Sequence, residues 1–154
     1  MAQSLNDLNI TARNGLYVYM PNTPQPHNCI VSASETNGLQ AGDILTLDTT
    51  STNTAAPVVK KAGVTDPVFG IVVFDALKTQ YAPLDKISAA IEGSYIHKPV
   101  LGAVTPGATL FFDANGNVTG TATAGNSTVG TANTYAANAG DLVQVKLKFG
   151  TTTA

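Results

Sequence analysis

Charge is what this chain has least of. Acidic and basic residues make up only 12% of its 154 residues, where a typical soluble domain carries about 25%. Cysteine occurs once, at Cys29, so no disulfide can form within the chain. Folding in a reducing cytoplasm is the natural expectation. Tryptophan is absent and histidine occurs twice. His27, His97 and Cys29 are the only soft metal ligands, a thin supply for a zinc centre that takes three or four ligands. No metal and no cofactor is expected. The net charge of −2 argues against the basic face with which a nucleic-acid binder releases counterions. No apolar run approaches the roughly 20 residues of a membrane helix. The polar stretch Met1 to Ile10 lacks the apolar core of a secretory signal. No nucleic acid and no membrane is therefore expected as a partner.

What stands in place of charge is Thr, Ser, Asn, Ala and Gly. Thr favours strands, and Gly and Asn favour turns. The chain is organised around Val68-Phe69-Gly70-Ile71-Val72-Val73-Phe74, its longest apolar run. Strand side chains alternate between two faces, and here both faces are apolar, so the segment is expected to be buried on both sides. Gly70 within it predicts a bulge or a close backbone approach. A surface poor in Lys and Glu suits contact with other subunits, because interface cores are depleted in charge; a Thr-rich β surface without a partner is the alternative. The Asn-x-Ser/Thr triplets at Asn9, Asn117 and Asn126 are read as coincidences of a Thr-rich chain.

Three regions follow from the pattern. Residues 1–37 read as an extended N-terminal arm and a first strand. The arm mixes isolated apolar residues (Leu5, Leu8, Ile10) with a short alternating segment, Leu16-Tyr17-Val18-Tyr19. Pro21, Pro24 and Pro26 each remove a backbone donor and bias the residue before them to extended geometry. Asn28 to Ser32 is the candidate first strand, with Cys29 a small buried hydrophobe. Residues 38–149 read as an all-β barrel or sandwich domain, and residues 150–154 as a loose tail. Within the domain, Asp48 to Ala56 is a polar loop, and Asp75 to Lys86 is a connection with room for one helical turn. Asn115-Gly116 predicts a two-residue hairpin with both central residues at positive φ. Val143, Val145, Leu147 and Phe149 point inward, with Gln144, Lys146 and Lys148 outward.

The domain echoes itself. Ala41-Gly42-Asp43-Ile44-Leu45 matches Pro106-Gly107-Ala108-Thr109-Leu110, and Asp48 matches Asp113, both 65 positions on. Phe69-Gly70 then matches Val129-Gly130, and Ile87/Ala89/Ile91 matches Val143/Val145/Leu147 at an offset of 56. Two related β units closed on one another would cover their strand edges, which otherwise invite aggregation.

Catalytic chemistry does not emerge. Asp43, Asp48, Asp113 and Asp141 sit at turn-like positions and form no readable acid/base pair. Asp113 to Asn117 has its Gly at the fourth position and no distal Glu, unlike a calcium loop. Gly120 to Gly130 lacks the Lys-Ser/Thr ending of a phosphate loop. Cys29 with His97 has no supporting surround as a nucleophile pair. The tyrosines (Tyr17, Tyr19, Tyr81, Tyr95, Tyr135) read as half-buried strand residues. The expectation is a protein that is not an enzyme.

Ile91-Glu92-Gly93-Ser94-Tyr95 through Lys98-Pro99, then Val104-Thr105-Pro106-Gly107-Ala108-Thr109-Leu110-Phe111-Phe112-Asp113, resembles the capsid decoration (cement) proteins of tailed phages. Gly140-Asp141-Leu142-Val143-Gln144-Val145-Lys146-Leu147 matches the family's closing strand, and Ala41-Gly42-Asp43 and Val58 to Ala62 fit as well. Ala108, where the family often has Asp, and the Pro-containing arm depart from the pattern. The resemblance implies a β-barrel unit, often a homotrimer, that binds the major capsid protein on the virion exterior and clamps neighbouring capsomers. Such a protein is made in the host bacterial cytoplasm. The arm supplies the candidate capsid contacts: Leu5, Leu8, Ile10, Leu16, Tyr17, Val18 and Tyr19. The alternative is a head-fibre or adhesin-type β module that binds a host-surface glycan or receptor.

Overall fold

The computed structural model describes residues 13–151. Among them there are thirteen strands and no helix. In chain order the strands are β1 (Tyr17–Val18), β2 (His27–Val31), β3 (Leu39–Gln40), β4 (Ile44–Leu47), β5 (Val58–Lys61) and β6 (Gly70–Val72). Then come β7 (Gln80–Tyr81), β8 (Lys86–Ala90), β9 (Tyr95–Pro99), β10 (Thr109–Phe112), β11 (Val118–Thr119), β12 (Ser127–Ala132) and β13 (Leu142–Thr151).

Five strands close a barrel in the order β2-β5-β4-β6-β8, with β8 returning to β2. A second sheet runs β1-β9-β13-β12-β10-β11 and curls until Val100, just past β9, bridges Val118 of β11. Leaving β1, β3 and β7 aside, both units use one plan: the first strand lies between the third and the fifth, and it runs parallel to the third. Individual hydrogen bonds repeat with it. Ser32 N–H donates to Val59 O at 2.8 Å, as Leu101 N–H does to Val118 O at 2.8 Å. Gly42 N–H reaches Val72 O at 2.8 Å, and Gly107 N–H reaches Ala132 O at 2.7 Å. Val31 N–H meets Asp85 O, and Val100 N–H meets Asp141 O, both at 2.9 Å. The sequence echo is therefore an echo of backbone geometry.

The two units share a wall. Ile44, Ile71 and Ala90 face a large core with Ile96, Leu110, Phe112, Val129, Val143, Val145 and Leu147. Their chain neighbours Leu45, Val72 and Ala89 face the barrel interior with Cys29, Val31, Val59 and Ile87. This is why the run around β6 is apolar at consecutive positions: its alternate side chains enter two different cores.

Gly70 and Gly130 occupy matched places in the two units. A Cβ on Gly70 would stand 2.7 Å from Ala90 O, and one on Gly130 2.0 Å from Lys146 O. In each unit the backbone of the fifth strand lies where a side chain would begin. The expected close approach at Gly70 is present.

One matched pair differs in residue type. Leu84 N–H donates to Val31 O as Gly140 N–H donates to Val100 O, and both residues have positive φ, 71° and 89°. An L-residue in this region is strained by about 1–2 kcal/mol, and Leu84 gains little from packing because it is 69% exposed. Leu84→Gly should therefore raise stability, by about 0.5–1 kcal/mol once glycine's extra chain entropy is subtracted. The urea midpoint at constant m-value measures this, and an unchanged or lower midpoint would count against strain at Leu84.

Two local expectations are corrected. The connection Asp75 to Lys86 holds no helical turn; it is a flap pinned by β7, which pairs with β3 through Leu39 opposite Tyr81. The hairpin at Asn115-Gly116 exists, but Phe112 faces Val118, so its loop is Asp113 to Asn117. Gly116 has positive φ and Asn115 does not. The Asp113 carboxylate accepts the N–H groups of Asn115 and Asn117, both at 2.9 Å, and closes a longer turn than the dipeptide alone implies.

The chain before β2 straps the units together. Gly15 N–H donates to His97 O at 2.9 Å and His97 N–H to Leu16 O at 3.0 Å, while Phe74 N–H donates to Gly15 O at 2.8 Å. Beside this strap Lys98 is fully buried, and its ammonium donates to Asn14 Oδ1 at 2.7 Å and to Gly42 O. One side chain thus ties the strap, the first unit and the second.

Candidate functional site

The groups that carry chemistry in other proteins are absorbed by the fold here. Asp43, Asp66, Asp85 and Asp141 each accept the backbone N–H three residues earlier, at 2.8–3.0 Å, and each returns its own N–H to that residue's carbonyl. Three of the four stand immediately before a strand. Asp48 accepts from the hydroxyls of Ser32 and Thr50 and from Thr50 N–H, which holds its pKa down at about 2. Cys29 is 1% exposed in the barrel core, and burial pushes its thiol up to about 11. It should therefore be unreactive toward a thiol reagent at pH 8 until the protein is unfolded; rapid labelling of the native protein would contradict that placement. His27 packs edge-on against Phe69, with ring centroids 5.9 Å apart. Burial lowers the pKa of His97. Among the described residues no three His, Cys, Asp or Glu side chains gather as a metal site would require.

Some large apolar side chains remain exposed among the described residues. Leu77 is 96% exposed, and with Leu84 it projects from the flap between β6 and β8. The flap is held rather than loose. Asp75 accepts Leu77 N–H at 2.8 Å, Lys78 bridges Asp85 at 2.9 Å, and the Lys78 ammonium lies 5.2 Å from the Tyr81 ring centre. Lys78 and the Ala82 N–H hold the Asp85 carboxyl below its usual range. Under the flap a groove of about 530 Å³ crosses the outer face of β2 and β8, between Ala55-Ala56 and Asp75, Lys78 and Tyr81. A second groove continues from it past Asp75, Tyr81 and Ser88 to Phe74, Ala76 and Tyr19. The lining mixes small and apolar groups with Asp75, Lys78 and Lys86, a wall that can seat another chain.

The candidate contacts of the arm separate on inspection. Leu5, Leu8 and Ile10 lie outside the described residues. Tyr17 is buried, 6% exposed, and its hydroxyl donates to Pro24 O, so its ring serves the core. Leu16 and Val18 are half-buried. Tyr19 is 74% exposed, stacked edge-on against Tyr17 at 4.5 Å. Leu77 and Leu84 were not anticipated from the sequence. The available signal was a leucine set in an otherwise polar connection, which is weak because single exposed leucines are common.

A protein-family model described as phage cement protein matches residues 39–147, which span all of the barrel but β2 and nearly all of the second unit. Comparison with curated proteins finds no match.

Proposed function

Because the chain belongs to the phage cement protein family, whose role is structural and lies at the phage capsid, we propose that it binds the outer surface of an icosahedral head and holds neighbouring capsomers together. Its partner in this reading is the major capsid protein, its binding form is a homotrimer, and it performs no catalysis. It is made in the host cytoplasm and ends on the virion exterior. The observation that carries the reading is the family match across both β units. The sparse charge and the braced, exposed Leu77 and Leu84 support it. Symmetric subunits present the same patch several times around an axis. Weak single contacts then add, because each raises the effective concentration of the next.

The arm enters as a second element. Residues before Arg13, with Leu5, Leu8 and Ile10, would add a strand to an open edge of the capsid protein, with Tyr19 beside it. Since Gly15 to Val18 pair with β9 and Tyr17 lies in the core, the informative truncation removes residues 1–12 and keeps the strap. Loss of binding to undecorated heads with the thermal midpoint unchanged is expected; undiminished binding would remove the arm from the mechanism. Wild-type protein should saturate such heads at a fixed copy number. Light scattering after size exclusion tests the trimer, and a monomer at high concentration would contradict it.

A further inference from the structure

The repeat exposes a difference between its two copies. In the second unit the first strand, β9, is filled on both sides. β13 occupies one edge, and the strap residues Gly15 and Leu16 take the N–H and C=O of His97 on the other. The residue of β2 that matches His97 is Asn28, by the same register that pairs Val31 with Val100. Along β2, Val31 exchanges hydrogen bonds with the β8 side, through Asp85 O and Leu84 N–H, while the Ile30 and Ser32 N–H groups donate to Pro57 O and Val59 O on the β5 side. Alternation then directs the N–H and C=O of Asn28 toward β5. There β5 has not yet begun: the register places Ala56 opposite, and Pro57, which would donate to the Asn28 carbonyl, has no N–H to give. Among the described residues the Asn28 N–H has no backbone partner. Asn28 is exposed, and the site where its partner would lie opens into the groove beside Ala55-Ala56.

We propose that this open edge of β2 receives an extended segment of the capsid subunit as an added strand, in the way β9 receives the strap. The proposal rests on the capsid reading above and names the contact within it. The occupant of the matched edge defines the chemistry: Leu16-Tyr17-Val18 is uncharged, extended and apolar. The walls around Asn28 carry Lys78, which Asp85 pairs at 2.9 Å, and Lys86 with Asp75, so the fixed charges offset one another and an uncharged strand like the strap fits. Ala55 and Ala56 leave space for side chains on one side, and Leu77 on the flap supplies an apolar rim that such a strand would cover. Main-chain hydrogen bonds give the affinity of strand addition, and the side-chain walls give its selectivity.

Hydrogen exchange of the full chain, alone and on undecorated heads, reads the edge directly. The Asn28 amide should exchange quickly in the free protein and slowly on heads. Asn28→Pro removes that N–H at an edge position where proline is tolerated, and should weaken head binding by about tenfold or more, the loss of roughly one well-made contact. Asn28→Ala keeps the N–H and should bind as wild type. Wild-type binding without protection of the Asn28 amide overturns the proposal, as does equal binding of Asn28→Pro or equal weakening by Asn28→Ala. Protection already present before heads are added means that the edge is filled in the free protein, by this chain or by a second copy, and also overturns it. If Asn28→Pro fails to fold, the exchange measurement on wild type decides alone. Wild-type protein that does not bind heads at all refutes the capsid reading itself, a result distinct from the others.

Discussion

Gly130→Ala is expected to lower stability by about 3 kcal/mol or more, the upper range of overpacking combined with backbone strain. The added Cβ would lie 2.0 Å from Lys146 O and 3.1 Å from Leu147 Cα, both backbone atoms that no rotamer change can move aside. Gly130 also sits at φ 156°, with the β12–β13 register shifting beside it. To admit a methyl group, β12 must part from β13 where Val129, Val145 and Leu147 are packed. Gly70→Ala meets Ala90 O at 2.7 Å without the unusual φ, so its loss should be smaller, about 1–3 kcal/mol. Gly102→Ala, with nothing within 4 Å, should change stability by less than about 0.5 kcal/mol. Urea unfolding of the three variants should give that order. A Gly130→Ala protein as stable as Gly102→Ala would mean that β12 and β13 do not approach as described.

The second large effect lies at Lys98. Burial lowers its pKa to about 7, while Asp43 and Asp113 pull the other way. The unfolded chain holds this proton up to about pH 10.4. Between about 7 and 10.4 the unfolded state therefore binds more protons than the folded one, and stability rises with pH. Below pH 7 both states are charged and the full cost of burying the ammonium is present. Two other groups bound the useful window. Cys29, raised to about 11, makes stability fall with pH once the unfolded thiol ionises near 8.5–9. His97, lowered from its usual value, contributes a rise only below about pH 6.5. From pH 7 to 9 wild type should thus gain about 2 kcal/mol. Lys98→Met should show no such gain. At pH 9 the variant should be the less stable, because Asn14 and Gly42 lose their donor; near pH 6 the gap should narrow, because the buried charge is gone as well. Parallel curves for the two proteins would refute a titrating Lys98.

Much of this architecture can be read from the residues, for identifiable reasons. The run at Val68 to Phe74 points to its own position, since a strand between two cores is apolar at consecutive residues. The echo of Gly42, Asp48 and Gly70 in Gly107, Asp113 and Gly130 survives because each has a backbone duty: a turn, a carboxylate closing a turn, a passing carbonyl. Positions without such a duty differ between the two units, and Leu84, matched to Gly140, is the case in which one unit carries strain. Lys98 was missed because a lysine before a proline reads as a strand end at the surface. Its place on the face of Ile96 was visible in the alternation, but its acceptors come from Asn14 and Gly42, 84 and 56 positions away. The flap was missed for the same kind of reason, because β3 and β7 contribute two residues each and pair Gln40 with Gln80 and Leu39 with Tyr81 across a long connection. The proposed contact surface was the least legible part. The arm drew the eye through its prolines and alternation, yet its Tyr17 turned inward, while Leu77, Leu84 and the open edge at Asn28 acquire meaning only once the sheets are assembled.

The claim that joins these parts is that the protein works by adhering to a capsid. Quantitative mass spectrometry of purified virions tests it most directly, by comparing peptides of this chain with those of the major capsid protein. The account predicts that the chain is present at a constant ratio to the major capsid protein from one preparation to the next. Its absence from purified particles, or a trace amount that varies between preparations, would contradict the account.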